Sequence, residues 1–208
     1  MMRLARVEWA VLVFTLVYVA GFLAYFVTIG NREFLGYLAT MAGLIALTAW
    51  GHAAVRFPLA MLWALTGWGL AHMAGGSIPV NGRVLYNLVL LPLAGTGELT
   101  ILKYDQAVHF YGFAITAWLL WHILATGVPA LRHRFAIYVF PALASMGLGA
   151  TNEIIEFSAV MLVANTNVGG YYNTALDLVF NGLGAISAMI VVAMMEHRGR
   201  GGSAVKRN

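Results

Sequence analysis

Apolar positions in this chain neither alternate nor form a narrow stripe; they fill whole stretches. Six runs, at about 9–29, 34–55, 58–74, 105–126, 135–164 and 172–195, are dominated by Leu, Val, Ala, Phe, Ile and Met. Each reaches the roughly 17–25 residues that a helix needs to cross a hydrocarbon core. The pattern predicts an all-α fold: a polytopic membrane helix bundle of six transmembrane helices, forming a single domain over 1–196, with a disordered basic tail over 197–208. Pro58 suits the opening turn of the third helix, GVP at 127–129 closes the fourth, and AGGSIPVNG at 74–82 reads as a loop. The first run is too long for a signal-peptide core and lacks a small-residue cleavage site, so it is expected to be a retained span.

One segment breaks the pattern. VLYNLVLLPLAG, 84–95, is apolar but short and carries Pro92. Charge decides whether it spans. With six spans and a cytoplasmic N-terminus, Arg3, Arg6, Arg56, Arg132, Arg134, Arg198, Arg200, Lys206 and Arg207 lie inside, nine of the 12 Lys and Arg residues. Arg32, Arg83 and Lys103 lie outside. A seventh span would invert the later loops and reverse the bias, so 84–95 is expected to be an interfacial or re-entrant piece on the outer face. Both termini are then cytoplasmic, in a bacterial inner membrane.

Composition agrees with that class. The chain is 61% hydrophobic and 10% charged, with a mean hydropathy of +0.81. Without cysteine, disulfides, thiolate metal sites and a Cys nucleophile are excluded. The net charge of +4 sits at chain ends and loops, which reads as orientation in the membrane, not as nucleic-acid binding. GLG at 147–149 and GLGA at 182–185 lie inside spans, where small residues make helix-packing contacts and not phosphate loops.

Against this apolar background the ionisable residues stand out. A charge at the bilayer midplane costs at least about 2.5 kcal/mol, so such residues normally face an interior and have partners. Asp105 and His109 are four apart at the start of the fourth run and share a helix face; Glu153 and Glu156 are three apart, with Asn152 one turn from Glu156. Asn173, Asp177 and Asn181 repeat every fourth residue on the sixth run, and His72 lies late in the third. At 1.5 Å per residue, His109 and Asp177 descend roughly 6–8 Å from the outer face, while His72 and Glu153 rise about 20–27 Å from the inner one. The topology therefore predicts that these residues converge in the outer leaflet.

Two imidazoles and several carboxylates are nitrogen and oxygen ligands suited to Zn, Mn, Fe or Mg. The expectation is a metal set of His72, Asp105, His109 and Asp177, with Glu153 as general base, Glu156 supporting it, and Asn152, Asn173 and Asn181 as polar support. Such a site could hydrolyse or transfer a group on a lipid or lipid-linked envelope substrate, with membrane lipids as the surroundings and no nucleic-acid partner. Three other readings use the same residues. A hydrogen-bonded network could fix helix register, carboxylate and imidazole chains could relay protons in a transporter, and His109 with His122, thirteen apart on one helix, could stack two haems with His72 and His52 as partners.

AHMAGG, KYDQAVHFYGF, NEIIEF and YYNTALDLVFNGLGA, carrying His72, Asp105, His109, Glu153, Glu156, Asp177 and Gly184, resemble the YjdF-like family of small bacterial inner-membrane proteins over about residues 70–190. The last three resemble the VanZ-like family more loosely. The chain departs from the YjdF-type pattern at Asn173 and Asn181, where that pattern carries acids, which bears on the number of metal ligands. The VanZ-like family is associated with low-level resistance to the glycopeptide teicoplanin; the resemblance implies little further chemistry, while an outward-facing polar site near the lipid headgroups fits an envelope or lipid-linked substrate.

Overall fold

The computed structural model describes residues 4–30, 32–132, 134–162 and 170–205. Six α-helices account for most of them: α1 Arg6–Ile29, α2 Arg32–Val55, α3 Leu59–Ser77, α4 Tyr104–Gly127, α5 Ala136–Leu162 and α6 Tyr171–Val205. Each coincides with one of the expected apolar runs. α6 continues past His197 into the stretch expected to be a tail, whose last residues, 206–208, lie outside the described residues, as does the polar 163–169 before α6.

Four of these helices are long and apolar enough to cross a membrane, over Arg6–Ile29, Leu38–Val55, Tyr104–Gly127 and Tyr171–Arg198. α3 and α5 fall short for a chemical reason. α3 gives positions to Trp68, His72 and glycines, and α5 to Asn152, Glu153 and Glu156.

The fold is mostly helical but not all-α. Between α3 and α4 the chain makes two antiparallel hairpins, β1 Pro79–Val80 with β2 Arg83–Val84, and β3 Val89–Ala94 with β4 Ile101–Lys103. Asn81 and Gly82 turn the first hairpin, both with positive φ (51° and 77°), as a two-residue turn that matches strand twist requires. The segment 84–95 is therefore a strand preceded by a 3-10 turn, not a helix. Pro92 removes the donor that a helix would need there, and an exposed edge strand tolerates it.

The helices pack as two groups of three. Phe26, Met41 and Met73 form the core of α1, α2 and α3, with Tyr18, Phe22 and Leu38 around them. Ala117, Ala185, Met189 and Val192 form that of α4, α5 and α6. α4 joins the groups: Tyr104 and Tyr111 donate to the Ala71 and Ala64 carbonyls of α3, at 3.0 and 3.1 Å. Small residues set the closest approach. A Cβ on Gly184 of α6 would lie 2.1 Å from the Phe110 carbonyl oxygen of α4, so only glycine admits this backbone contact. Elsewhere large apolar side chains face outward: Trp50, Phe135, Phe140, Phe157 and Leu162 are all exposed, as a lipid-facing surface permits.

Candidate functional site

The start of α4 is built tightly. Leu102 has φ +74°, a left-handed conformation that a non-glycine residue rarely adopts. The fully buried Gln106 holds it there, its Oε1 accepting from the backbone N–H groups of Leu102 (2.8 Å) and Lys103 (3.1 Å). Two backbone donors at the helix start are thereby satisfied, and Asp105 in the first turn is fixed in direction. His109 follows one turn later, buried, with Nε2 3.6 Å from Asp105 Oδ1.

α5 and α6 complete the cluster. His109 Nδ1 lies 3.0 Å from Asn181 Oδ1 and 3.6 Å from Glu153 Oε1. Asn173 Nδ2 donates to Asp105 Oδ2 at 3.0 Å and to Asp177 Oδ2 at 2.6 Å. Asn152 Nδ2 donates to Glu156 Oε1 at 2.7 Å. Asp177 and Asn181 are essentially inaccessible, at 0% and 1% exposure, and Glu153 is at 5%. Gly149 of α5 leaves room for Asn181, whose Nδ2 would lie 2.8 Å from any Cβ there.

Two sets of ligand atoms lie within 4.8 Å of one another, Asp105 with His109 and Asp177, and His109 with Glu153 and Glu156. His109 belongs to both. Its proton placement separates them. Asn181 Oδ1 accepts from Nδ1, so Nδ1 carries a proton and Nε2 faces Asp105 with either a second proton or a lone pair. A lone pair aimed at carboxylates is matched by a metal cation between them or by a proton on the facing carboxyl. With the cation, the amide that orients His109 would act as metal-ligating histidines commonly require.

Several polar atoms are left over. Asp177 Oδ1, both Glu153 carboxylate oxygens and Asn181 Nδ2 are buried and make no hydrogen bond among the described residues. Buried polar atoms rarely go unpaired, and a carboxylate least of all. Four carboxylates around one imidazole leave an excess of negative charge that bound cations or protons must offset.

The sequence-predicted residues separate into two groups. Asp105, His109, Glu153, Glu156 and Asp177 come together, with Asn152, Asn173 and Asn181 bonded among them. His72 lies in neither ligand set. Its Nδ1 is 2.8 Å from the Tyr86 hydroxyl, which also donates to the His72 carbonyl at 2.7 Å, and its ring packs between Trp68 and Tyr86. Two contributors escaped the sequence reading, Gln106 and Tyr86. A Gln at the third helical position is a capping signal that was present in KYDQ; for Tyr86, in an ambiguous segment, no signal existed.

His52 and His122 occupy a separate place. His52 Nδ1 accepts from the Phe57 backbone N–H at 2.9 Å, while Nε2 is 3.2 Å from Glu8 Oε1. His122 Nε2 caps the end of α2, 3.3 and 3.1 Å from the Val55 and Arg56 carbonyls. The Phe57 ring packs against both imidazoles, with centroids 5.8 and 6.0 Å away, and fills the space that a haem held by this pair would need.

No curated protein and no solved structure matches the chain. Residues 10–198 match a family described as predicted membrane protein (DUF2238), nearly the whole sequence. A multi-pass helical chain with a buried His/Asp/Glu group, it belongs to that family.

Proposed function

We propose that this protein is a metal-dependent hydrolase or group-transfer enzyme of the bacterial inner membrane, acting on a lipid or lipid-linked envelope substrate at the outer leaflet. In this reading all six helices span, both termini are cytoplasmic, and the hairpins between α3 and α4 lie at the outer interface. The charge bias of nine of 12 basic residues to one side supports the orientation. Asp105, His109 through Nε2, and Asp177 hold one divalent ion of the Zn, Mn, Fe or Mg type. Glu153 takes the proton from an attacking water, and Glu156, held by Asn152, supports it. His72 shapes the neighbouring wall and does not ligate.

The observation that carries this reading is the pairing of His109 Nδ1 with Asn181 while Nε2 faces Asp105 and the unpartnered oxygen of Asp177 lies in the same ligand set. The test is elemental analysis of detergent-purified protein beside Asp177→Asn and His109→Ala. About one equivalent of a transition metal, lost in both variants, is the expected outcome, since each variant removes one of the three ligands. Metal-free protein with unaltered variants would reject it.

A second reading, a proton-relaying transporter or a purely structural network, is favoured by one contact. Asn173 Nδ2 donates to both Asp105 and Asp177 and so links the two carboxylates itself. There His109 is an imidazolium between carboxylates, and removing Asp177 lowers stability without changing metal content.

A further inference from the structure

A second built feature lies apart from the carboxylate cluster, in the first group of helices. α1, α2 and α3 enclose an open-sided cleft of about 180 Å³, lined by Leu12, Tyr18, Met41, Ile45, Ala49 and Leu65 among others. From Glu8 at one end to Tyr18 at the other it follows ten residues of α1, about 15 Å at 1.5 Å per residue. That is the thickness of one leaflet, half of the roughly 30 Å hydrocarbon core.

The charged lining residue, Glu8, stands with His52 at one end, whereas Thr15, Thr48, Thr66 and Tyr18 place neutral polar groups farther along the slot. Glu8 accepts from the Ala5 backbone N–H at 2.7 Å and lies 3.8 Å from Arg56 Nη1. His52, 3% exposed, reaches the cleft: Nδ1 accepts from Phe57, so Nε2 carries the proton and lies 3.2 Å from Glu8 Oε1. Arg56 is more than half exposed and is not among the lining residues, but its Nη1 lies 3.8 Å from Glu8. A carboxylate and an imidazole N–H at the end of a largely apolar slot one leaflet long thus have a guanidinium beside them.

We infer that this cleft is a specific site for one phospholipid with an ammonium headgroup: an acyl chain fills the slot, the ammonium meets Glu8, and the phosphate meets Arg56 and His52 Nε2. The juxtaposed opposite charges match a zwitterion and disfavour a headgroup carrying phosphate alone, where Glu8 would repel. The site is independent of any metal at His109.

The experiment is native mass spectrometry of the full chain after exchange into equal phosphatidylethanolamine and phosphatidylglycerol, with Ala49→Trp to fill the slot and Arg56→Gln to remove the phosphate partner. Expected is a single retained phosphatidylethanolamine, about tenfold over phosphatidylglycerol, as one well-placed charge contact gives. Ala49→Trp abolishes retention of either lipid, and Arg56→Gln erases the preference. Equal retention of both lipids, or retention untouched by Ala49→Trp, would mean ordinary boundary lipid and overturn the site, as would a preference for phosphatidylglycerol or no retained lipid. Equal thermal melting of Ala49→Trp and the parent separates lost binding from lost folding; should Ala49→Trp melt early, Ile45→Phe fills the same slot and is read in its place.

Discussion

Asn181 on α6 accepts from His109 on α4 across 3.0 Å, seventy-two residues apart in sequence, and that bond decides which imidazole nitrogen faces the carboxylates. An amide at this position can hold a neutral imidazole in one tautomer, which a carboxylate would instead draw toward the imidazolium.

Replacing Asn181 by Leu therefore leaves the ligands in place but frees the ring. Metal affinity falls about 10–100-fold, as for other supporting partners of ligating histidines. Metal titration of stripped protein, followed by competition with a chelator, measures it; unchanged affinity would remove Asn181 from its orienting role.

Gln106→Leu orphans the backbone donors of Leu102 and Lys103 at once. Each buried unsatisfied group costs about 1–3 kcal/mol, so thermal unfolding in detergent shifts clearly downward. Gln106→Glu keeps the acceptor and is expected to retain more of the stability. Equal melting of all three proteins would show that the strained Leu102 does not depend on this side chain.

Gly184→Ala places a methyl against the Phe110 carbonyl oxygen and must push α6 from α4. Overpacking of this kind costs about 1–3 kcal/mol. Gly147→Ala, where a Cβ meets nothing within 4 Å, is the matched control and should melt like the parent.

Orientation is accessible because the chain lacks cysteine. Thr96→Cys, between β3 and β4, should react with a membrane-impermeant maleimide from outside intact cells. Ala130→Cys, between α4 and α5, should react only after permeabilisation. The reverse labelling would invert the topology, and labelling of both from outside would remove the α4 crossing.

Much of this was legible in sequence because membrane helices write their length directly into apolar runs. Asp105, His109, Glu153 and Asp177 could be brought together from depth alone, since helices that alternate in direction leave few ways to bury a charge. His72 showed the limit of that argument. Its expected depth matched theirs, but depth says nothing of azimuth, and its ring meets Tyr86, in a segment whose hairpins the apolar pattern hid. The identity of the supporting groups was harder still, because Gln106 acts on backbone atoms whose conformation no residue pattern announces.

The contact of Gly184 with Phe110 has a kinematic meaning. Two backbones that touch cannot slide past one another, yet they can turn about the point of contact. Asp177 lies two helical turns from that fulcrum and Asp105 about one and a half turns from it, so a small rotation of α6 changes the gap between the two carboxylates and swings the more distant end of α6 through a larger arc. The molecule carries a hinge pin of a single missing methyl group, about which a tilt of α6 against α4 would turn.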